Sequence, residues 1–304
     1  MENSLTLPKG RRSKVKRSKT EVAIMTIVFI IFVIYSFTFL FALYWILVNS
    51  FKTADDFMNN VFNLPPVWQF QNYIDAARIR IPVVGQGGSR RYTNLSQMFL
   101  TSIGLVAAVT VLEVFVSAGT SYVVAKYKFP GRNFLFGMIV FAMVVPLVGT
   151  LPVMFQFMND VRLFDTFYGM LFLYVNGFGF GFLLLFGHFK NLSWSYAEAA
   201  AIDGAGEFGI YFRVMLPLSF PSLVAVAIVA AIGYWNDFST PFIYLPSFPT
   251  LAVGIDLFNR ELQREHNMPL MFSAMMLAVI PVIVFFAIFQ RTIMKNMVAG
   301  GLKG

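Results

Sequence analysis

Residues 22–47, VAIMTIVFIIFVIYSFTFLFALYWIL, form an apolar stretch that contains no charged side chain. A helix rises about 1.5 Å per residue and the hydrocarbon core of a bilayer is about 30 Å thick, so about 20 such residues cross it. The stretch is about twice as long as the apolar core of a signal peptide, and no small-residue cleavage site follows it. We therefore predict a retained first membrane-spanning helix.

The composition extends this prediction to the whole chain. Of its 304 residues, 58% are hydrophobic and only 12% are charged, whereas a soluble domain carries roughly 25% charged residues. The absence of cysteine excludes disulfides, a thiol nucleophile and a thiolate zinc site, and two histidines, His188 and His266, suggest no metal site. The sequence predicts an all-α membrane protein with six transmembrane helices, at residues 22–49, 97–126, 134–158, 167–189, 218–242 and 269–293.

The distribution of charge predicts the topology. An even number of spans places both termini on one side, and that side carries fifteen of the 23 lysine and arginine residues, seven of them between Lys9 and Lys19. The positive-inside rule therefore predicts a multi-pass protein of the cell membrane with both termini in the cytoplasm. This topology accounts for the net charge of +8. Because the basic run lacks aromatic or motif support, we expect no nucleic-acid binding.

This topology divides the chain into three regions. A basic cytoplasmic N-terminus at residues 1–21 precedes a six-helix membrane domain at 22–293, and a cytoplasmic tail at 294–304 follows it. Two loops of the membrane domain are long, an outer loop at 50–96 and a cytoplasmic loop at 190–217.

The cytoplasmic loop contains a short predicted helix. Ser195-Tyr-Ala-Glu198 has the spacing of a capping box, so Ser195 is expected to cap the helix. An alanine-rich segment follows, and Gly204 is placed to end the helix. It is too short to span a bilayer, and its acids Glu198 and Asp203 exclude burial in lipid. From the residues alone, a surface connector and a helix that docks into a partner's groove stay open.

The same loop resembles the EAA loop of ABC importer permeases. Residues 198–217 read EAAAIDGAGEFGIYFRVMLP, and the family form is Glu-Ala-Ala, three residues, Gly, nine residues, an aliphatic residue, then x-Leu-Pro. The Asp203-Gly204-Ala205 centre and Pro221 are similar to the carbohydrate-uptake branch, of the maltose type. Further similarities to that branch lie at Ser50-Phe-Lys52-Thr53, Asn72-Tyr73, Trp235-Asn236 and residues 299–304. A proline usual before the EAA helix is absent here, and the outer loop 50–96 is longer than is typical.

The resemblance implies a function and a set of partners. It implies a permease subunit of an ATP-driven, binding-protein-dependent sugar or oligosaccharide importer, which pairs with a second, homologous permease, an ATPase dimer and an extracytoplasmic solute-binding protein that docks on the outer loops. The chain has no phosphate-binding Gly-x-x-x-x-Gly-Lys-Ser/Thr loop, so ATP and Mg²⁺ are expected on the ATPase, and this chain is expected to be no enzyme and to hold no cofactor. The residues that the resemblance assigns to ATPase coupling are Glu198, Ala199, Ala200, Asp203, Gly204, Leu216 and Pro217.

Polar residues within the predicted spans are candidates for the translocation path, because charges inside a membrane are costly. Glu113 lies in the second span, on one helical face with Thr110, Ser117 and Thr120. This face should turn away from lipid, either as part of the path or as a hydrogen-bonded structural anchor.

The fourth and fifth spans hold further candidates. The fifth combines side chains that suit sugar hydroxyls and sugar rings, although aromatic residues near a helix end are also typical of the membrane interface. The alternating glycines that follow Asn176 indicate either close helix packing or a helix break that lines the path. The candidates in these two spans are Asn176, Tyr234, Trp235, Asn236 and Asp237.

Three alternatives stay open. The transported solute could instead be a polyol, a glycerol phosphate ester, an amino acid or an acidic oligosaccharide. An acidic solute would suit the basic residues of the outer loop, which are Arg78, Arg80, Arg90 and Arg91. These arginines could equally dock an acidic surface of the binding protein. A membrane receptor or scaffold is a further class. A membrane-embedded hydrolase is the weakest candidate, because Glu113 and Asp237 are expected on different helices at different depths.

Overall fold

The computed structural model describes residues 18–145, 149–262 and 267–301. The basic run from Lys9 to Arg17, His266 and residues 302–304 lie outside this part of the chain. The elements are mostly helical, and the chain falls into two units, Met1–Val48 and Asn49–Gly304. The helices of the membrane regions are α1 (Lys19–Asn49), α4 (Leu95–Lys126), α5 (Arg132–Val144), α6 (Thr150–Asp160), α7 (Phe167–Tyr174), α8 (Phe180–Asn191), α12 (Phe220–Asn236), α13 (Ser239–Tyr244) and α15 (Met268–Gly301).

The remaining elements lie in the predicted loops. The outer loop 50–96 contains α2 (Ala54–Asn59), α3 (Gln71–Arg78), β1 (Ile81–Val84) and β2 (Arg90–Thr93), and α14 (Leu251–Leu262) precedes α15. The cytoplasmic loop contains α9 (Ser195–Ile202), α10 (Glu207–Ile210), a π-helical turn at Tyr211–Met215 and α11 (Leu216–Leu218).

The described part of the first unit is most of α1. At its start the Glu21 amide donates to Ser18 Oγ (3.2 Å), and the Ser18 amide donates to the Glu21 carboxylate (3.0 Å). These reciprocal bonds form a capping box. The side chains are apolar on all sides, which is typical of a helix that faces lipid or other membrane helices.

Three of the described helices are long and apolar enough to cross a membrane by themselves: α1, α4 and α15 up to Gln290. Two further helical segments, Glu207–Leu218 and Phe220–Asn236, are long and apolar enough for a fourth crossing only if they are taken as one helix with a bend of 73° between them. The chain is therefore a multi-pass membrane protein.

In the second unit α4 is the central helix, and α7, α8, α12 and α14 all pack against it. Its two ends belong to different apolar clusters. Leu95 and Met98 pack with residues of the outer loop, α14 and the start of α15. Ala118, Tyr122 and Ala125 pack with α8, α12 and the cytoplasmic loop. The helix thus connects the outer loop with the cytoplasmic loop.

The third predicted segment, 134–158, is not one continuous helix. α5 ends at Val144, and Val145 is extended (φ −79°, ψ 116°). Val145 precedes a proline in the sequence, and the residue before a proline disfavours the helical conformation. The second helix of this segment, α6, begins at Thr150.

The fourth and fifth predicted segments, 167–189 and 218–242, are also interrupted. Between α7 and α8 the chain leaves the helix at residues 175–179, and Gly179 before α8 is extended. Both interpretations of these glycines therefore apply. The helix is broken here, and the backbone packs closely on α4, since a Cβ on Gly177 would lie 2.9 Å from Val116 Cγ1. In the fifth segment Asp237 is extended (φ −71°, ψ 114°), so α12 ends at Asn236, and α13 begins at Ser239.

The outer loop 50–96 contains helices and a hairpin that the sequence analysis did not predict. β1 and β2 form an antiparallel hairpin with Val83 opposite Arg91, and Ile81 is buried among α3, α14 and α15. The Asn72 amide donates to the carbonyls of Ser50 and Lys52, both at 2.8 Å. The motif residues at the start of this loop therefore have a structural role, because they fix its backbone.

Candidate functional site

The helix α9 in the cytoplasmic loop starts and ends by different means. The predicted capping box is not formed: Trp194 occupies the cap position and makes no side-chain cap. The Ser195 hydroxyl is instead paired with Ser193 Oγ at 2.7 Å, which removes it from the helix end. The predicted end at Gly204 is confirmed, since Gly204 has φ +83°, and the Ala205 amide donates to the Ala200 carbonyl (2.9 Å) as in a Schellman motif.

One face of α9 is anchored and the other is exposed. Ala197 is buried and packs with Ile210, Tyr211 and Met215. Five of the seven residues assigned to ATPase coupling lie on α9 or directly after it. The other two lie in α11, where Pro217 is exposed and Leu216 is half-buried against the apolar cluster. Those exposed are Glu198, Ala199, Asp203, Gly204 and Pro217, with Ala200 half-buried.

Exposed apolar side chains extend this face. Ile202 at the end of α9 is 86% exposed, and Phe208 in α10 is 79% exposed. Both side chains flank the exposed end of α9 in sequence, where a docked partner could contact them. The sequence analysis missed both residues because it considered only positions of the family motif.

An aromatic cluster packs the cytoplasmic loop against α4 and α8. The rings of Tyr122 and Tyr211 are 4.8 Å apart, and Tyr122 also contacts Phe189 edge to face. Burial raises the pKa of Tyr211 to about 12, with a smaller contribution from Tyr122. A tyrosine is neutral at physiological pH already at its ordinary pKa of about 10, and burial makes its ionisation still less favourable.

A polar network joins α4, α7 and the C-terminal end of α12. The Tyr234 hydroxyl donates to the Glu113 carboxylate, and the Tyr174 hydroxyl donates to Asp237 Oδ2 at 2.9 Å. The two tyrosine rings lie 4.7 Å apart, and Asp237 Oδ1 accepts from the Thr240 amide (3.2 Å). The structure therefore joins three of the predicted path residues through Tyr174, which the sequence analysis missed.

The polar face of α4 faces the break between α7 and α8. Thr120 Oγ1 lies 2.7 Å from the Gly177 carbonyl, and Ser117 Oγ lies 3.4 Å from the Asn176 carbonyl. In a bilayer, backbone carbonyls freed by a break need such partners. The prediction that this face turns inward is confirmed, since Glu113 and Ser117 are buried.

The other path candidates lie apart from the network. Trp235 Nε1 donates to the Ala278 carbonyl (3.4 Å), and its ring packs edge to face on Phe99. The Asn236 amide donates to a carbonyl of its own helix. Asn176 is exposed, and its Oδ1 accepts from the Phe178 amide. Trp235 thus connects α12 with α4 and α15 rather than facing the network.

A cavity of about 540 Å³ lies between α4, α12 and α15, and its walls are almost wholly apolar. Its polar contributors are Thr110 and Trp235. Within the described ranges, no three histidine, aspartate or glutamate side chains lie close enough to hold a metal ion.

Comparisons with known proteins agree with this architecture. The family described as "Binding-protein-dependent transport system inner membrane component" matches residues 116–298. The diacetylchitobiose uptake system permease protein NgcG of Streptomyces coelicolor is 29% identical over 260 residues, which cover 84% of this chain and 82% of the relative. The trehalose transport system permease protein SugB of Mycobacterium tuberculosis is 30% identical over 212 residues, which cover 69% and 77%.

A solved structure shares the fold. It is a bacterial ABC transporter involved in the import of the acidic polysaccharide alginate, and its matching chain has a TM-score of 0.70 at 24% identity, over 91% of this chain and 99% of that chain. The family match covers more than half of the present sequence, including the cytoplasmic loop. Such permeases are transport subunits and not enzymes, and their systems include an ATPase and a substrate-binding protein. The chain therefore belongs to the family of binding-protein-dependent transport system inner membrane components, the permeases of ABC importers.

Proposed function

We propose that this chain is a permease subunit of an ATP-driven importer for a sugar or oligosaccharide. The names of its relatives support the solute class, since they refer to diacetylchitobiose and trehalose. The observation that carries the mechanism is α9, which is anchored through Ala197 and exposes its acids and Gly204. A helix held in this way can pass a push or pull from a bound partner to the membrane helices.

In this proposal α9 docks on the cytoplasmic ATPase, which binds ATP and Mg²⁺. Glu198, Ala199, Ala200, Asp203 and Gly204 form the contact. The alanines keep the helix thin enough for a groove, and the positive φ of Gly204 lets the chain turn away directly after it. Closure of the ATPase dimer then displaces α9.

The membrane arrangement follows from the same proposal. The broken helices α5–α6, α7–α8 and α12–α13 each act as one crossing, which together with α1, α4 and α15 makes six and leaves both termini in the cytoplasm. A second, homologous permease completes the pathway. The outer loops 50–96 and 243–268 then face the solute-binding protein.

The polar network is the proposed solute contact of this subunit. Glu113 and Asp237 offer carboxylate oxygens, and Tyr174 and Tyr234 offer hydroxyls and ring faces. Carboxylates accept hydrogen bonds from sugar hydroxyls, and aromatic rings cover the apolar faces of a sugar. Breaks between half-helices near such groups are typical of transporter binding sites.

A second solute class is favoured by one feature of the outer loop. Arg78, Arg80, Arg90 and Arg91 are all exposed in or beside the β1–β2 hairpin. Arg91 also lies over the Phe248 ring, 5.2 Å from its centroid. This basic surface suits an acidic oligosaccharide, and it equally suits an acidic face of the binding protein.

The test begins with the native complex. The tagged chain is purified from its membrane in mild detergent, its stoichiometric partners are identified by mass spectrometry, and the complex is reconstituted for ATP-dependent uptake of the sugar that its binding protein retains. We expect a second permease, an ATPase and a binding protein. Recovery of the chain alone, without ATP-dependent uptake, would contradict the proposal and favour a receptor or scaffold.

One variant tests the role of α9. We expect Gly204→Asp to leave the complex assembled and hydrolysing ATP while uptake is lost, because the new side chain lies at the proposed contact. Gly131→Asp is the matched control: Gly131 also has φ +83° and open space around it, but it lies outside the cytoplasmic loop. Both variants carry a similar backbone cost of about 1–2 kcal/mol. Normal uptake by Gly204→Asp would refute the coupling role.

A further inference from the structure

The end of α4 holds both flanks of α9. The ammonium group of Lys126, the last residue of α4, donates to the carbonyl of Leu192, three residues before α9. The hydroxyl of the next residue, Tyr127, donates to the carboxylate of Glu207, five residues after α9. Two adjacent residues thus fasten the chain on either side of one short helix.

A tryptophan strengthens the first of these contacts. Lys126 Nζ lies 6.0 Å from the centroid of the Trp194 ring, at the limit of a cation–π contact. The Tyr127 ring meets the same tryptophan edge to face, with centroids 6.0 Å apart and planes at 81°. Because Trp194 occupies the cap position of α9, these contacts fix where the helix begins.

The chemical nature of the donors and acceptors favours both hydrogen bonds. The Leu192 carbonyl lies at the C-terminal end of α8, where backbone carbonyls lack helical partners and a cation is favourable. Burial, with a further contribution from the Glu207 carboxylate, raises the pKa of Tyr127. A phenol is protonated at physiological pH already at its ordinary pKa of about 10, so the Tyr127 hydroxyl is the donor to the Glu207 carboxylate.

The hydrogen bonds of Lys126 and Tyr127 attach the flanks of α9 to α4, the helix that also carries Glu113 of the polar network. α4 runs unbroken from Leu95 to Lys126 and carries Glu113 thirteen residues before Lys126, which is about 20 Å along a helix. α8, in contrast, ends at the glycine break. A displacement applied at Lys126 and Tyr127 is therefore carried along α4 to the Glu113–Tyr234 hydrogen bond.

We propose that Lys126, Tyr127, Trp194 and Glu207 form a clasp that transmits the displacement of α9 into α4, and so to the polar network. These are positioning residues, which act through α9 and α4 and do not touch the solute. The proposal rests on the coupling function of α9 proposed above. It adds the route by which the motion enters the membrane.

The test measures coupling in the complete reconstituted complex. The quantity is the number of sugar molecules imported per ATP hydrolysed, compared between wild type, Tyr127→Phe and Glu207→Ala. Tyr127→Phe keeps the ring and removes only the donor. We expect the ratio to fall about five-fold in both variants, the factor that corresponds to one hydrogen bond of ordinary strength. Glu207→Gln keeps an acceptor and should retain most of the ratio.

Tyr211→Phe serves as the matched control. It removes a hydroxyl from the same aromatic cluster, but that hydroxyl is buried without a hydrogen-bond partner among the residues that the structure describes, so the ratio should stay at the wild-type value. An unchanged ratio in Tyr127→Phe and Glu207→Ala would overturn the clasp, even if the amount of assembled complex fell. If one variant fails to assemble, the other decides. Absence of ATP-dependent uptake by the wild-type complex would instead refute the proposed function.

Discussion

Replacing Gly177 with alanine tests the contact between the helix break and α4. Gly177 lies in the segment between α7 and α8, opposite the polar face of α4. A Cβ added there would lie 2.9 Å from Val116 Cγ1 and 3.2 Å from Thr120 Cγ2, both closer than van der Waals contact. Thr120 also lies within hydrogen-bond distance of the Gly177 carbonyl, so relief of the clash by movement of α4 would weaken that bond.

The expected cost follows from these distances. Overpacking by one methyl group typically costs about 1–3 kcal/mol. For a chain of this size we expect the midpoint of thermal unfolding to fall by about 2–6 °C, at roughly 2 °C per kcal/mol. The midpoint is measured on the purified complex in detergent, from the fraction that remains monodisperse after heating.

Two further variants make this prediction specific. Gly187 lies inside α8 with nothing within 4 Å of an added Cβ, so Gly187→Ala should stabilise the helix by up to about 1 kcal/mol. Val116→Ala removes the nearest clashing atom, so adding Gly177→Ala to it should cost at least 0.5 kcal/mol less than in the wild type, on the order of couplings between contacting residues. If Gly177→Ala stabilised the protein as Gly187→Ala does, the inferred close packing would be refuted.

Two predictions concern the outer loop. Lys52 is buried, its ammonium donates to the Asn60 carbonyl (2.9 Å), and burial lowers its pKa despite the opposing effect of Asp56. Between this lowered pKa and the ordinary value of 10.5 the unfolded chain binds more protons, so stability should rise with pH over that range. Lys52→Met should therefore make the midpoint of thermal unfolding depend less on pH between about pH 7 and 10. An unchanged pH dependence in this variant would contradict the lowered pKa of Lys52. Arg90→Gln should reduce binding-protein-dependent uptake at low salt and have less effect at high salt, because exposed charges are screened. Arg260→Gln, whose arginine already pairs with Asp256, should show neither effect.

Much of the helical framework was predictable from local sequence. The boundaries of α4 were predicted within two residues, because an apolar stretch of spanning length identifies itself. Its inward polar face was also predicted, since Glu113 and Ser117 recur at helical spacing and charge is excluded from lipid. The end of α9 at Gly204 followed from the preference for glycine at a left-handed C-terminal position.

The missed capping arrangement of α9 and the missed Tyr174 have a common physical origin, which is competition from contacts that the expected pattern does not reveal. Ser195 and Glu198 have capping-box spacing, but the Ser195 hydroxyl is hydrogen-bonded to Ser193 Oγ instead of to the helix backbone. The same spacing at Ser18 and Glu21 does form a capping box. Tyr174 was missed because its partner Asp237 is 63 residues away in sequence.

The break between α7 and α8 depends on α4, and this dependence bears on the kind of solute that can pass. A free carbonyl in hydrocarbon costs several kcal/mol, so the break is stable only while hydroxyls such as that of Thr120 remain close to it. Any opening that separates α7 and α8 from α4 exposes these carbonyls, together with the Glu113 carboxylate that Tyr234 now satisfies. A hydroxyl-rich solute can donate replacement hydrogen bonds as the helices separate, whereas an apolar solute cannot. In the proposed function, the polar network therefore suits a hydroxyl-rich solute better than an apolar one.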